Sequence, residues 1–295
     1  MEIRNLVTFV QVAELNSFTR AAKALDYSQS TVSFQIKQLE TELNCLLFER
    51  INHTLILTDK GRELLEYAQK VTRLTDEFRQ NMNANRQIEG YVHVLTPDSI
   101  CEAMLLENYA DFSVRYPGIR LKFSTADTED MFHILDRNEA DAMLTLDSHV
   151  YHKDYIIARE AQMATHFVVG ADSPLAARGT VSIRELAAEP FILTEKGMGY
   201  RGVLDKQLAD MSIDIQPVLE ISRTDIITKI LENGTAVSFL PDFVTQRKVS
   251  EGSLVYLNVP DAEVSIWKQL IYHRNKWISR ALDVFLKYVS EIEFA

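Results

Sequence analysis

Cysteine is the scarcest informative residue. Only Cys45 and Cys101 occur in 295 residues, too few and too far apart for a disulfide framework. No apolar run reaches the roughly 18 residues of a membrane span, and no charged-then-apolar leader opens the chain. A cytoplasmic location with no membrane contact is therefore expected. Excess positive charge is also missing. The formal net charge is -11, which excludes a wholesale nucleic-acid binder and leaves room only for local placement of cations. There is no nucleophile elbow, phosphate loop or dinucleotide fingerprint, so an enzyme is not expected and no cofactor is implied. What remains is ordinary for a globular protein, 46% hydrophobic and 25% charged, and long enough for two or more cores.

The most patterned stretch is 17–50. Phe18, Ala21, Ala22 and Leu25 recur at helical spacing, and Asp26-Tyr27-Ser28 interrupts them. A second helix restarts at Ser28, a good N-cap, with Val32, Ile36, Leu39 and Leu43 on its inner face and Tyr27 placed to staple onto Val32. Two short helices and a tight turn form a helix-turn-helix. Rotation by about 100° per residue then points Ser30, Phe34 and Lys37 outward, with Thr31, Ser33 and Gln38 on the shoulders. No acid lies between Tyr27 and Leu39, so nothing on this face repels phosphate. Hydroxyls can donate to phosphates or base edges, glutamine can read adenine, and Lys37 offers a point charge. Ser28 and Gln29, at the start of the helix, join the candidate set. The competing reading is a plain solvated face, favoured by the balance of 17–60: five basic and five acidic side chains.

These residues resemble the LysR-type transcriptional regulators. The resemblance is carried by Phe18, Ala21-Ala22, Leu25, SQSTVSFQIKQLE (28–40), LFER (47–50) and LTDKG (57–61). Two positions depart from the family's habit. Phe34 replaces a basic or small polar residue, and is suited either to thymine methyls or to weakening phosphate contact. Asn44 replaces Gly and tolerates the left-handed conformation. The resemblance implies double-stranded DNA as a partner, homodimers or dimers of dimers (a homotetramer), contact with RNA polymerase, and a small-molecule effector of unknown identity.

Before the helix-turn-helix, Leu6, Phe9, Val10 and Ala13 mark a support helix. After it, 46–50 and 54–57 read as a hairpin turning at Asn52-His53, a wing from which Arg50 and His53 reach a flanking groove or phosphate. Thr58 caps a long helix to about Asn85, with Leu64, Ala68, Val71, Thr75, Phe78 and Met82 at coiled-coil spacing. From Gly90 strands alternate with helices, predicting mostly parallel sheets. The expected domains are a winged helix-turn-helix over 1–58, a linker and dimerisation helix over 59–89, and an α/β effector domain over 90–295. The resemblance continues here through Asp141-Ala142, DSPLA (172–176), 197–201, NGTAVSFLP (233–241) and 252–254. It implies two Rossmann-like subdomains, 90–161 with 267–295 and 162–266, arranged like a type 2 periplasmic binding protein.

Ligands of open α/β sheets sit beyond the carboxyl ends of strands. By that rule the effector candidates are Thr96, Ser99, Thr125, Thr145, Thr194, Arg201 and Ser222. Hydroxyls, helix N-termini and Arg201 favour an anion such as a carboxylate, whereas Asp98 and Glu195 suit an amine. Ser99-x-x-Glu102 also reads as a capping box. Asp147, His149, His152 and Asp154 imitate a metal loop without rigid ligand spacing, so no metal is expected. Cys101 near a helix start is a minor redox candidate, since a thiolate is favoured there. The leading reading is a ligand-responsive DNA-binding regulator; the alternative is a cytosolic solute-binding protein or enzyme with a helical head that binds no DNA.

Overall fold

The amino-terminal unit condenses around one aromatic-rich core. The computed structural model describes residues 1–51, 54–81 and 87–294. Helix α1 (Ile3–Leu15), α2 (Phe18–Ala24) and α3 (Gln29–Leu43) precede the hairpin β1 (Phe48–Ile51) and β2 (Thr54–Leu57), then α4 (Asp59–Asn81). Phe9 is fully buried, and its ring centroid lies 5.3 Å from that of Phe48. Leu6, Val10, Ala13, Ala21, Ala22, Val32, Ile36 and Leu39 close the core around them. Burying side chains of this size contributes about 1.5–3 kcal/mol each.

Local chemistry sets the boundaries. Ser17 caps α2 by accepting from the Arg20 amide, and Ser28 caps α3 by accepting from the Thr31 amide at 3.1 Å. Asn16, Asp26 and Asn44 turn the chain in the left-handed region, with Asn44 at φ 50°, as expected of an Asn in place of Gly. Thr58 accepts from the Gly61 amide at 2.9 Å and donates to the Leu46 carbonyl at 2.7 Å, tying the start of α4 to the hairpin. A Cβ at Gly61 would lie 2.2 Å from the Leu47 oxygen, so only glycine lets α4 approach.

Two expectations here are corrected. Leu43 is 39% exposed, and Gln35 takes the inner face with Val32, Ile36 and Leu39. Tyr27 is 39% exposed at the entry to α3. On α4 the expected seam also divides differently. Leu64 and Ala68 pack on the amino-terminal core beside buried Leu65 and Thr72, because α4 must cover α1. The stripe left outward is Tyr67, Val71 and Leu74, exposed at 61%, 38% and 60%. The side chain of Phe78 and all of Met82 lie outside the described residues.

The remainder is α/β. In chain order it runs β3 (Gly90–Leu95), α5 (Asp98–Arg115), β4 (Ile119–Ser124), α6 (Thr128–Asp136), β5 (Ala142–Asp147), β6 (Tyr155–Met163) and β7 (Thr165–Gly170). Then come α7 (Ile183–Leu186), β8 (Ile192–Leu193), α8 (Gly199–Asp210), β9 (Leu219–Glu220), α9 (Thr224–Glu232), β10 (Ser238–Pro241) and α10 (Asp242–Ser250). The chain ends with β11 (Leu254–Leu257), β12 (Ile266–His273) and α11 (Arg280–Glu293). One sheet has the order β4-β3-β5-β12-β6 and another β10-β7-β11; β8 pairs with β9 and bridges to the β10 side through Phe191 and Val237.

The first sheet is mixed rather than mostly parallel. β3 runs parallel to β4 and β5, but β12 returns antiparallel to both β5 and β6. The chain crosses between the sheets twice, at Ala164 and again over 258–265. Asn138 turns in the left-handed region at φ 55°.

Candidate nucleic-acid interface and effector crevice

The outer face of α3 is built by what pins its inner face. The Thr8 hydroxyl, fully buried on α1, donates to Gln35 Oε1 at 2.7 Å, and Asn5 Nδ2 donates to Gln38 Oε1 at 3.1 Å. These bonds fix the rotation of α3 against α1 more tightly than apolar contact alone. Outward then point Gln29, Ser30, Thr31, Ser33, Phe34 and Lys37, all exposed, with Phe34 at 68%. Their roles divide further. Ser28 Oγ lies 2.7 Å from Ser30 Oγ and 2.8 Å from Thr31 Oγ1, so these hydroxyls form a cap cluster. Gln38 is exposed yet tethered to Asn5, leaving its amide nitrogen as the free end. Lys37 is the one cation on α3, and the first turn carries no acid. His53 and the Arg50 side chain lie outside the described residues. Gln35 was not among the expected residues; its position three after Val32 on the inward stripe was the available signal.

The second region lies where the two α/β units meet. Thr96, just past β3, is fully buried and donates to the Pro97 carbonyl at 3.3 Å. Ser99 is buried in the first turn of α5, but no capping box forms, because the helix begins at Asp98 and Pro97 occupies the N-cap. Thr145 on β5 and Thr194 beyond β8 are buried with hydroxyls that meet no hydrogen-bond partner among the described residues. Ser222 is half-buried, and Thr125 is exposed.

Arg201 is the most informative. Its side chain is 1% exposed; Nε donates to Asp205 at 2.7 Å and Nη1 to the Thr194 carbonyl at 2.6 Å. Nη2 is buried without a partner among the described residues. The Tyr200 hydroxyl neighbours Thr194, meets no hydrogen-bond partner among the described residues, and burial pushes the phenol far above its ordinary range. Tyr200 was missed from the sequence; its adjacency to Arg201 at a helix start was the only clue.

The two units touch at this point. A Cβ at Gly199 would lie 2.2 Å from the Leu146 oxygen, so the first turn of α8 sits directly on the end of β5. The amide of Thr128 reaches toward the Gly197 carbonyl at 3.5 Å. The N-terminus of α8 has no side-chain cap and no acid in its first turn, leaving amides that suit an anion. Acids rim the opposite wall: Asp98 and Glu102 on α5 face Arg223, which itself holds Asp225 through two bonds of 2.8 and 2.9 Å. A cavity of about 830 Å³ opens elsewhere, along the two crossovers among Thr165, His166, Tyr256, Asn258 and Glu263. None of the expected effector residues lines it.

Burial, with Asp98 and Glu102 adding to it, pushes the Cys101 thiol up, so a thiolate is disfavoured there, contrary to the helix-start argument. Among the described residues no group of three or more His, Cys, Asp or Glu is placed to hold a metal ion. His149 pairs instead with Glu160 at 2.9 Å. No helix among the described residues is long and apolar enough to cross a membrane.

Comparison with known proteins gives a consistent picture. Residues 3–62 match the model of the bacterial regulatory helix-turn-helix protein, lysR family, and residues 85–292 match the LysR substrate binding domain. An uncharacterized HTH-type transcriptional regulator, YwqM of Bacillus subtilis, is 31% identical over 291 residues, covering 97% of each chain. The RuBisCO operon transcriptional regulator of Allochromatium vinosum is 28% identical over 291 residues, covering 98% of this chain and 95% of its own. Among solved structures, CrgA from Neisseria meningitidis, a LysR-type transcriptional regulator, is similar with a TM-score of 0.56 at 25% identity over 99% of this chain and 98% of its own.

Proposed function

The chain belongs to the LysR family of DNA-binding transcriptional regulators, and from that premise we propose which residues read DNA and what the effector domain senses. The outer face of α3 enters the major groove, with Ser33, Phe34 and Lys37 in contact and Ser28, Ser30 and Thr31 presenting the helix start to phosphate. One observation carries this reading: a pinned helix exposes a phenyl ring and its single cation side by side, with no acid in its first turn. Two copies pair through the Tyr67–Val71–Leu74 stripe, so two α3 helices meet half-sites spaced by whole DNA turns. Contact with RNA polymerase and a cytoplasmic location belong to the same reading.

The effector is a compact anion, held by Arg201 Nη2, the Thr194, Tyr200 and Thr145 hydroxyls and the α8 amides. A buried guanidinium with an unpaired N–H is costly to leave so, and a carboxylate or similar oxyanion answers it. Its binding shifts the population of subdomain arrangements and thereby the spacing of the heads. Footprinting of the full chain on its own upstream DNA should show two protected half-sites about one or more helical turns apart. A single protected patch, or none at low salt, would refute the DNA reading. A thermal-shift screen of small carboxylates and oxyanions should find a stabilising compound that Arg201→Met no longer responds to. Stabilisation by amines alone would move the site to the acidic wall.

A further inference from the structure

The helix-turn-helix head is not an isolated unit. The turn after β12 touches it, and the contact is made of groups that neither DNA reading nor effector binding uses. Trp277 packs against the core cluster of the head, and Gln69 on α4 donates to the Asn275 carbonyl at 3.1 Å. Glu14, in the last turn of α1, faces the same turn, and its Oε1 is buried with no partner among the described residues. Lys276 is buried to 10% exposure and pairs with Asp141 at 2.7 Å, with Asn138 as a further acceptor.

We infer that residues 274–278 form a latch that docks the DNA-reading head onto the effector domain, and that ionisation of Glu14 releases it. The reason is charge balance in a confined place. One ammonium, Lys276, meets two carboxylates, Asp141 and Glu14, and Asp141 already takes it. Asp136 and His273 line the gap beside Glu14, and His273 is itself held toward its neutral form by burial. From α4, Glu66, Lys70 and Arg73 line the neighbouring groove with Arg274 and Trp277. An ionised Glu14 is thus a surplus negative charge without a counter-ion of its own.

Burial raises its carboxyl from 4.5 to about 8; Asp141 adds to the rise, while Lys276, the Trp277 backbone and Gln11 oppose it. Once undocked, Glu14 returns toward 4.5. The docked state therefore holds the proton more tightly, and the sign follows. Docking is fully supported below about pH 4.5, weakens by up to about tenfold per pH unit as pH rises, and levels off above about 8. The docked head keeps Ser33, Phe34 and Lys37 exposed, so the latch sets orientation rather than masking the reading face. It also leads out of β12, where Gln269 stands opposite Thr145 of the crevice. The crevice and the head are thereby connected through one strand.

The chain has two tryptophans, so Trp267→Phe makes Trp277 the sole reporter. In the full chain, acrylamide quenching of Trp277 should rise from pH 6 to pH 9, and the added Glu14→Gln substitution should hold it low throughout. An unchanged pH curve in Glu14→Gln overturns the proposal, as does full quenching of Trp277 at every pH. Should Trp267→Phe fail to fold, hydrogen exchange in the otherwise unaltered chain serves instead. After correction for intrinsic rates, residues 8–16 and 273–278 should lose protection between pH 6 and 8.5 in the parent and keep it in Glu14→Gln. Equal protection at both pH values in the parent overturns the latch.

Discussion

Replacing Lys37 with alanine tests the docking face most directly, because α3 carries no other basic residue and its first turn carries no acid. Each phosphate neutralised on B-DNA contributes about -0.9 to the slope of log K against log salt. Two heads per dimer lose two contacts, so the slope should become shallower by about 1.8. Between 50 and 200 mM salt the parent should then lose about 12-fold more affinity than the variant does. The deficit should be the same on random DNA as on the operator, since a point charge on phosphate reads no sequence. Phe34→Ala supplies the contrast. Its ring is 68% exposed, and laying part of it on a thymine methyl is worth about 1–2 kcal/mol per head. That loss should appear on the operator, be nearly absent on random DNA, and leave the slope unchanged. Titrations by mobility shift at three salt concentrations read both quantities. A Lys37→Ala slope within about 0.3 of the parent would refute the placement of α3 against phosphate.

Three further substitutions test the supports of the two sites. Thr8→Val leaves the buried Gln35 amide unpaired and should cost the head about 1–3 kcal/mol, while Thr8→Val with Gln35→Met recovers most of it; hydrogen exchange in α1 and α3 reads both. Asn44→Gly should be neutral or slightly stabilising, and Asn44→Val should cost about 1–2 kcal/mol, because φ is 50° there. Gly199→Val places carbon against the Leu146 oxygen, forcing α8 off β5; solution scattering should show a more open effector domain, and effector stabilisation should vanish with DNA binding retained.

The amino-terminal architecture was legible because its signals are local. Ser28, Asn44 and the cap that Thr58 gives Gly61 act within a few residues, and the helical period places Val32, Ile36 and Leu39 without knowledge of the rest. Signals that need partners distant in sequence were not legible. The antiparallel return of β12 depends on β5 and β6, more than 100 residues earlier, and its own apolar pattern does not encode direction. Short elements such as β11 and α10 carry too few periods to stand out. On α4 both apolar stripes look alike in sequence; only the presence of α1 decides that Leu64 and Ala68 turn inward. At the crevice, Arg201 stood among the expected effector residues and Tyr200 did not, since burial of a phenol is a property of the packed unit. The Ser99 capping box failed for a local reason, because Pro97 already holds the N-cap two residues earlier.

Charge also explains why pairing matters. The stretch 17–60 is neutral and the chain as a whole carries -11, so one head offers only a handful of phosphate contacts against a repulsive background. On the proposed pairing, affinity comes from tying two heads together, where the second binds at a local concentration in the millimolar range. Leu74, 60% exposed, belongs to the stripe proposed to make that tie. Leu74→Glu puts two like charges into an apolar seam while leaving α3 and its core untouched. Sedimentation should show monomers at micromolar concentration, and operator affinity should fall at least about 100-fold, as expected when avidity is lost. A variant that stays dimeric and binds as before would place the pairing surface elsewhere, and with it the source of affinity.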